Sequence, residues 1–291
     1  MKLRLFTLVY GPYIDLMEQG LLRSLKWPKN LAAIKKAECW DVYTNNEDRE
    51  RITALLEPFG IPINFTGITR DEIVSFQLNN ALIAECEVCV KDWSTLFPLQ
   101  PDLLFGEGSI GRLLKLAGEG KNLCIAMPHP RVETTSFLAD MPEGVIENDQ
   151  LVHLAMGNLH WSWRESNMEC SMTNTFHGGA MWRYVGDGLY AVTCRVPTCF
   201  VANPVESDIT FLKKCGRGAW DHRWPTILME ENRHRLVASS DVAFVVELTS
   251  RNKNPPHLNK KDSAEPDKYR FDFLHHRVNR NTICVWRSKC G

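Results

Sequence analysis

Long apolar runs are missing from this chain of 291 residues. No segment approaches the roughly 20 consecutive apolar residues of a membrane-spanning helix. The opening stretch Met1 to Tyr10 carries basic residues, but its uninterrupted apolar part is too short for a secretory core, so a cytoplasmic protein is expected. Cysteine is present without a framework: the ten residues are scattered from Cys39 to Cys290. A chain this long does not need disulfide staples, which fits a reduced compartment. The one close pair, Cys86 and Cys89, falls in a helical pattern with no second pair at zinc-ligand spacing, so it reads as a packed helix face. There is no internal repeat and no heptad pattern. Neither sign of charge is in excess overall, with a net −1, but the balance is uneven: residues 251 to 291 carry +6 against −7 for residues 1 to 250. That asymmetry points to an exposed basic tail or an acidic partner.

What is present, in the first half, is alternation of strand and helix signals. Leu3 to Tyr10 reads as a buried strand broken by Gly11 and Pro12. Ile14, Met17, Leu21 and Leu25 then mark a helix that ends near Trp27 and Pro28. Cys39 to Thr44 is a second strand, and Asn45 to Asp48 a cap for a helix from Arg49 to Phe59. Ile61 to Phe65, Ser94 to Phe97, Leu103 to Leu104 and Asn122 to Met127 follow as strands, with a helix over 77–90. Ser109 is placed to cap a helix from Ile110 to Ala117. This order predicts an α/β fold with a Rossmann-like, mainly parallel sheet flanked by helices. The second half reads as mixed α+β: a helix from Leu151 to Leu159, a hairpin from Met181 to Cys194 about Gly186 to Gly188, and two apolar clusters around Ser239, Ser240 and Asp241. Arg251 to Asp267 has loop composition.

The densest chemistry lies between Leu96 and Ser109, where Asp102 and Glu107 arrive with Gly106 and Gly108 at the end of an apolar run. In an open α/β sheet that edge is where ligands bind. The plain alternative is a strand-to-helix turn with a capping acid, and Asp241 has the same alternative as a turn residue. Arg131, at the end of another strand, can offset the charge of an anionic ligand with His129 and Lys121; a surface salt bridge is the competing reading. His177, between Phe176 and Gly178, can approach a phosphate or metal because the glycines after it admit close contact. Trp161, Trp163 and Trp182, with His160, form an aromatic cluster that suits a sugar face, a base or a core.

The patches Val9-Tyr10-Gly11 with Tyr13, Gln100-Pro101-Asp102 with Phe105, Glu107, Gly108 and Ser109, then Pro130-Arg131-Val132, Asn158-Leu159-His160, Met181-Trp182 with Gly186 and Gly188, and Ser240-Asp241 together resemble the nucleotide-sugar-dependent glycosyltransferases of the A-type fold, including bacterial and phage members. The resemblance implies a catalytic region over 1–250, with a donor-binding half at 1–132 and an acceptor half at 133–250, followed by a basic extension at 251–291. It implies transfer of a sugar from a nucleotide diphosphate, with a UDP-sugar as the expected donor, to an acceptor hydroxyl. Catalytic candidates are then Asp102, Glu107 and Asp241; donor-binding candidates are Tyr10, Gly11, Thr44, Asn45 and Arg131. Asp102 and His177 are candidates to hold Mn²⁺ or Mg²⁺, and His160, Trp161, Trp163 and Trp182 to hold the acceptor. The family's paired metal-binding acids are represented here by Asp102 alone, which leaves metal use open. A hydroxymethylated base in phage DNA, a glycan precursor, and a non-catalytic nucleic-acid-binding role for the basic tail all remain as readings. A nucleotidyltransferase is disfavoured, because no Gly-rich run with a following Arg or Lys stands near the first strand.

Overall fold

A computed structural model describes residues 2–68, 77–120, 122–164, 180–194, 198–215, 224, 227–228, 231–250 and 283–288. His177, Lys121, the 251–267 segment and the basic residues from Lys260 to Arg280 lie outside them.

Strand β1 (Lys2–Leu8) leads into α1 (Tyr13–Leu16), a π-helical segment Met17–Leu22 and α2 (Arg23–Leu25). All the junction residues are right-handed helical, so these run on as one rod. The π turn is invisible to apolar spacing. A helix that the sequence reading lacks, α3 (Pro28–Ile34), starts at the proline that was expected only to stop its predecessor. Proline suits the first helical position because the amide it lacks would be unpaired there anyway.

Then come β2 (Cys39–Thr44), α4 (Arg49–Leu56), a 3₁₀ turn Glu57–Phe59, β3 (Ile63–Gly67), α5 (Gln77–Asp92) and β4 (Ser94–Pro98). These strands form an all-parallel sheet in the order β3-β2-β1-β4. Both faces are covered, as helical crossovers require. Along β1, Leu3, Leu5 and Val9 enter one core with α1 to α4, while Phe6, Leu8 and Tyr10 enter another beneath α5. Cys86 and Cys89 are buried on α5 within that second core.

The chain continues through β5 (Leu103–Phe105), α6 (Ser109–Ala117), β6 (Cys124–Met127), β7 (Arg131–Glu133), α7 (Thr134–Asp140), α8 (Asn148–Gly157) and α9 (Trp161–Arg164). It then forms β8 (Ala180–Gly186), β9 (Leu189–Cys194), β10 (Thr198–Val201), α10 (Glu206–Cys215), β11 (His234–Leu236), β12 (Val245–Thr249) and β13 (Ile283–Arg287). Leu96 of β4 and Ala202 beside β10 exchange both backbone hydrogen bonds, at 2.8 and 2.9 Å. Through this antiparallel bridge the parallel sheet meets a second one, ordered β10-β6-β11. β4 and β6 both oppose β10, so they end at the same edge.

Two smaller sheets complete the mixed second half: β5-β12-β7 and the antiparallel β13-β9-β8. The expected hairpin is present, with Gly186, Asp187 and Gly188 all at positive φ in its turn. β13 belongs to the 251–291 stretch read as an extension, yet it pairs with β9 and buries Cys284 and Trp286 in the third core. That part of the stretch is built into the fold.

Ser109 is a correction. Gly108, at φ +77°, holds the cap position of α6, and Ser109 is the first helical residue. Its hydroxyl donates to Asn148 Oδ1 at 2.8 Å and accepts the Phe244 amide at 3.0 Å. Gly106 needs space rather than an unusual backbone: a Cβ there would lie 2.0 Å from Asn148 Oδ1.

Candidate functional site

The order β3-β2-β1-β4 reverses direction at β1. The chain adds β2 and β3 on one side and then returns to place β4 on the other. The two crossovers therefore leave on opposite sides, opening a crevice beyond the C-terminal ends of β1 and β4. A cavity of about 160 Å³ occupies that place, lined by Phe6, Leu8, Tyr10, Tyr13, Leu78, Pro98, Leu99, Gln100, Pro101 and Asp102.

Local chemistry fixes each wall. Gly11 turns the chain at φ +52°, and its amide donates to Asp48 Oδ2 at 2.8 Å. Asn45 Nδ2 donates to the same oxygen, and Asn45 Oδ1 accepts the Asp48 amide, both at 2.8 Å. The loops after β1 and β2 are thus tied through one carboxylate. Tyr10 and Tyr13 meet edge to face at 6.0 Å, and burial, then Tyr13, raises the Tyr10 phenol above its usual range. On the opposite wall, the Leu103 amide reaches the Gln100 carbonyl at 3.2 Å, closing a β-turn with Pro101 and Asp102 at its centre. Proline presets the first central position of such a turn, so Asp102 is held at the cavity wall by the main chain. The Asp102 carbonyl also accepts the Leu248 amide at 2.7 Å.

That last bond connects the crevice to a charged cluster. Glu247 on β12 pairs in register with Leu103 on one side and Arg131 on the other. Its carboxylate lies 2.9 Å from Arg131 Nε and 3.3 Å from His129 Nε2. Burial pushes the Glu247 carboxyl up, but the His129 hydrogen bond and the Arg131 charge outweigh it and hold it low, at about 2. His129 and Arg131 follow the end of β6, at the same sheet edge as Asp102.

Of the residues expected at a site, Tyr10 and Asp102 line the cavity, Gly11 shapes its mouth, and Arg131 stands on the neighbouring ladder. Thr44 and Asn45 are one strand away at the end of β2 and form none of its described wall. Thr44 is buried with its hydroxyl unpartnered among the described residues. Glu107 is elsewhere: it is buried, and its Oε1 accepts the Lys29 amide at 2.9 Å, capping the first turn of α3. Asp241 is exposed, its carbonyl accepting from Arg112 and its carboxylate 3.8 Å from Arg287 Nε.

His160, Trp161, Trp163 and Trp182 come together in one aromatic patch. Trp163 stacks on Trp286 at 5.7 Å, Trp182 Nε1 donates to the Trp163 carbonyl at 2.8 Å, and the buried His160 sits against Trp161 at 5.2 Å. The His160 amide donates to the Arg131 carbonyl at 2.9 Å, linking this cluster to the crevice side. His177 lies outside the described residues. Sequence reasoning missed Asp48 and Glu247. The signal for Asp48 was an Asn three residues before it; for Glu247 it was a lone acid inside the apolar run Val245 to Leu248.

Among the described residues no three His, Cys, Asp or Glu side chains cluster as a metal cage. Asp102 supplies one hard oxygen donor, which suits a Mg²⁺ or Mn²⁺ ion shared with substrate phosphates.

Fold and crevice together define the class: an α/β protein with a cavity at the switch point of a parallel sheet. No family model and no curated protein matches the sequence. Among solved structures, mannose-6-phosphate isomerase from Helicobacter pylori aligns at 13% identity over 46% of this chain and 53% of that one, with a TM-score of 0.33. A 4-diphosphocytidyl-2C-methyl-D-erythritol synthase from Anaerococcus prevotii aligns at 13% identity over 46% and 58%, with a TM-score of 0.31. The aligned part spans little more than half of either structure, and a likeness of this depth says nothing of activity.

Proposed function

We propose that this protein is a nucleotide-sugar-dependent transferase whose donor occupies the crevice between the ends of β1 and β4. The observation that carries the reading is the position of the cavity, at the switch point with Asp102 on its wall. Its composition suits a nucleotide: Tyr10, Tyr13 and Leu78 offer apolar and aromatic surface for a base, and Gln100 offers an amide for hydrogen bonding. The patches that resemble the A-type glycosyltransferases include two of these positions, Tyr10 and Asp102.

Breaking the sugar–phosphate bond leaves charge on a diphosphate, which must be met by fixed positive groups or a metal. Asp102 would hold a divalent ion against the phosphates, and that ion would supply the charge. Arg131, anchored by Glu247, supplies a fixed cation at the same edge. The His129–Glu247 pair has the arrangement of a general base held by a carboxylate. The acceptor hydroxyl, on a glycan or on hydroxymethylated DNA, is left to the assay.

The test is nucleotide release from UDP-, GDP- and TDP-sugars, with and without Mn²⁺, in the presence of glycan or hydroxymethylated-DNA acceptors. One donor is expected to give turnover. Asp102→Ala should lower it by about 100-fold, the scale of losing a main electrostatic contact to the transition state, while the melting temperature stays unchanged. No release from any donor, or full turnover by the variant, overturns the reading.

A further inference from the structure

A second, larger cavity lies at the other end of β4. It measures about 650 Å³, within the range of small-molecule sites. Its walls come from the end of α5 (Cys89, Val90), the start of β4 (Trp93, Ser94, Thr95), the α6–β6 connection and the segment from Asn203 to Glu206. The crevice of the proposed transferase site opens at the C-terminal end of β4, so the two are separated by the length of the strand.

Three of the lining side chains offer contacts to a ligand. Trp93 is 88% exposed, the most exposed of the large hydrophobic side chains described. It also holds a left-handed backbone, φ +55°, which a bulky residue rarely adopts. Trp93 stands directly after α5, where a left-handed residue commonly closes a helix. Asn122 across the groove shares that conformation at φ +64°. Finally, Ser94 is buried at 6% exposure beside the Cys89 thiol, a weak hydrogen-bonding partner that leaves its Oγ with further hydrogen-bonding capacity.

The lining chemistry narrows the ligand. Thr95 donates to Asn203 Oδ1 at 2.6 Å, and Asn203 Nδ2 donates to the Ala117 carbonyl at 3.0 Å, so the floor is a fixed, uncharged polar lattice. Among the described lining residues none is Lys or Arg, and the one charged side chain is Glu206. The described lining thus offers uncharged hydrogen-bonding groups and one carboxylate. A molecule with a flat C–H face for an indole and hydroxyls for Ser94 and Asn122 fits each feature.

We propose that this groove binds a neutral saccharide, with Trp93 as the stacking platform and Ser94 Oγ as a hydrogen-bonding group. The site stands independently of the transferase reading, since it uses none of the crevice residues.

The full chain is titrated by calorimetry with maltohexaose, cellohexaose and N-acetylchitohexaose. At least one should bind saturably. Trp93→Gly should weaken it by about tenfold or more, the equivalent of one aromatic stacking contact, and Ser94→Ala should weaken it less. Trp93→Phe should retain binding. Glycine adopts positive φ without strain, so Trp93→Gly should melt no lower than the wild type, which separates loss of the platform from loss of the fold. No binding of any of the three sugars overturns the proposal, as does binding unaffected by Trp93→Gly. Binding lost instead in Asp102→Ala would place the sugar in the crevice. A concentration-dependent dimer abolished by Trp93→Gly would give the face to a second copy of the chain; both results reject the proposal.

Discussion

At the scale of single residues, position in three dimensions separated acids that looked alike in one. Asp102 and Glu107 stand five residues apart around the same turn, yet only Asp102 reaches the cavity. Glu107 is committed to the Lys29 amide, 78 positions away in sequence, a partner no local pattern could announce. Its removal should therefore act on stability. Glu107→Ala is expected to cost about 1 kcal/mol as a lost helix cap, lowering the melting temperature by roughly 2 °C for a chain of this size, with the rate of nucleotide release per folded molecule unchanged. A large fall in turnover at unchanged melting temperature would return Glu107 to the catalytic set. Glu247 shows the converse. Its neighbours His129 and Arg131 were singled out in the sequence, but the carboxylate that joins them arrives through strand pairing more than a hundred residues later.

Among elements, what could be read was whatever buries itself by a local repeat. The strands β1, β2 and β6 announced themselves by apolar runs, and α6 by its apolar face. Their order alone gave the parallel sheet. The switch-point crevice was legible to the same extent, because Tyr10, Gly11 and Asp102 stand just past strand ends. α3 is hidden in the sequence because a proline can end one helix and begin the next, and the π turn because it shifts the register without changing residue types.

The junction of elements also sets demands that composition hides. Gly106 looks like a flexible turn residue, but it is a packing requirement. A methyl group there would strike Asn148, whose amide links Ser109 of α6 to the Ser240 carbonyl. Gly106→Ala should cost about 2–3 kcal/mol, combining overpacking with broken buried hydrogen bonds. Gly20→Ala, where the Cβ would meet only the flexible end of Leu248 at 2.6 Å and a carbonyl at 3.5 Å, should cost less. Chemical denaturation of the two variants tests the order, and a larger loss at Gly20 would contradict it.

Across the whole molecule, the two halves carry buried carboxyls displaced in opposite directions. Glu247, at the edge where the sheets meet, is held at about 2. Glu85 of α5 is packed beneath the parallel sheet, accepting the Tyr43 hydroxyl at 2.9 Å and lying 3.8 Å from Arg4, which also pairs with Asp41 at 2.7 Å. Burial first, and then Asp41, push Glu85 up to about 7, against Tyr43 and Arg4. The unfolded chain releases either proton near pH 4.3. Glu247 therefore contributes stability that is complete above about pH 5 and is lost as pH falls toward 2. Glu85 has the opposite sign: the folded state retains a proton that the unfolded state gives up, so stability declines as pH rises from about 4.3 to 7 and then levels. Melting temperatures from pH 3 to 9 should pass through a maximum near about pH 4.3, where the two contributions balance. Glu85→Gln should flatten the neutral limb and exceed the wild type at pH 8. Glu247→Gln should melt lower than the wild type at pH 7, with the gap closing toward pH 3. Parallel curves for all three proteins would mean that neither carboxyl is displaced as its surroundings require.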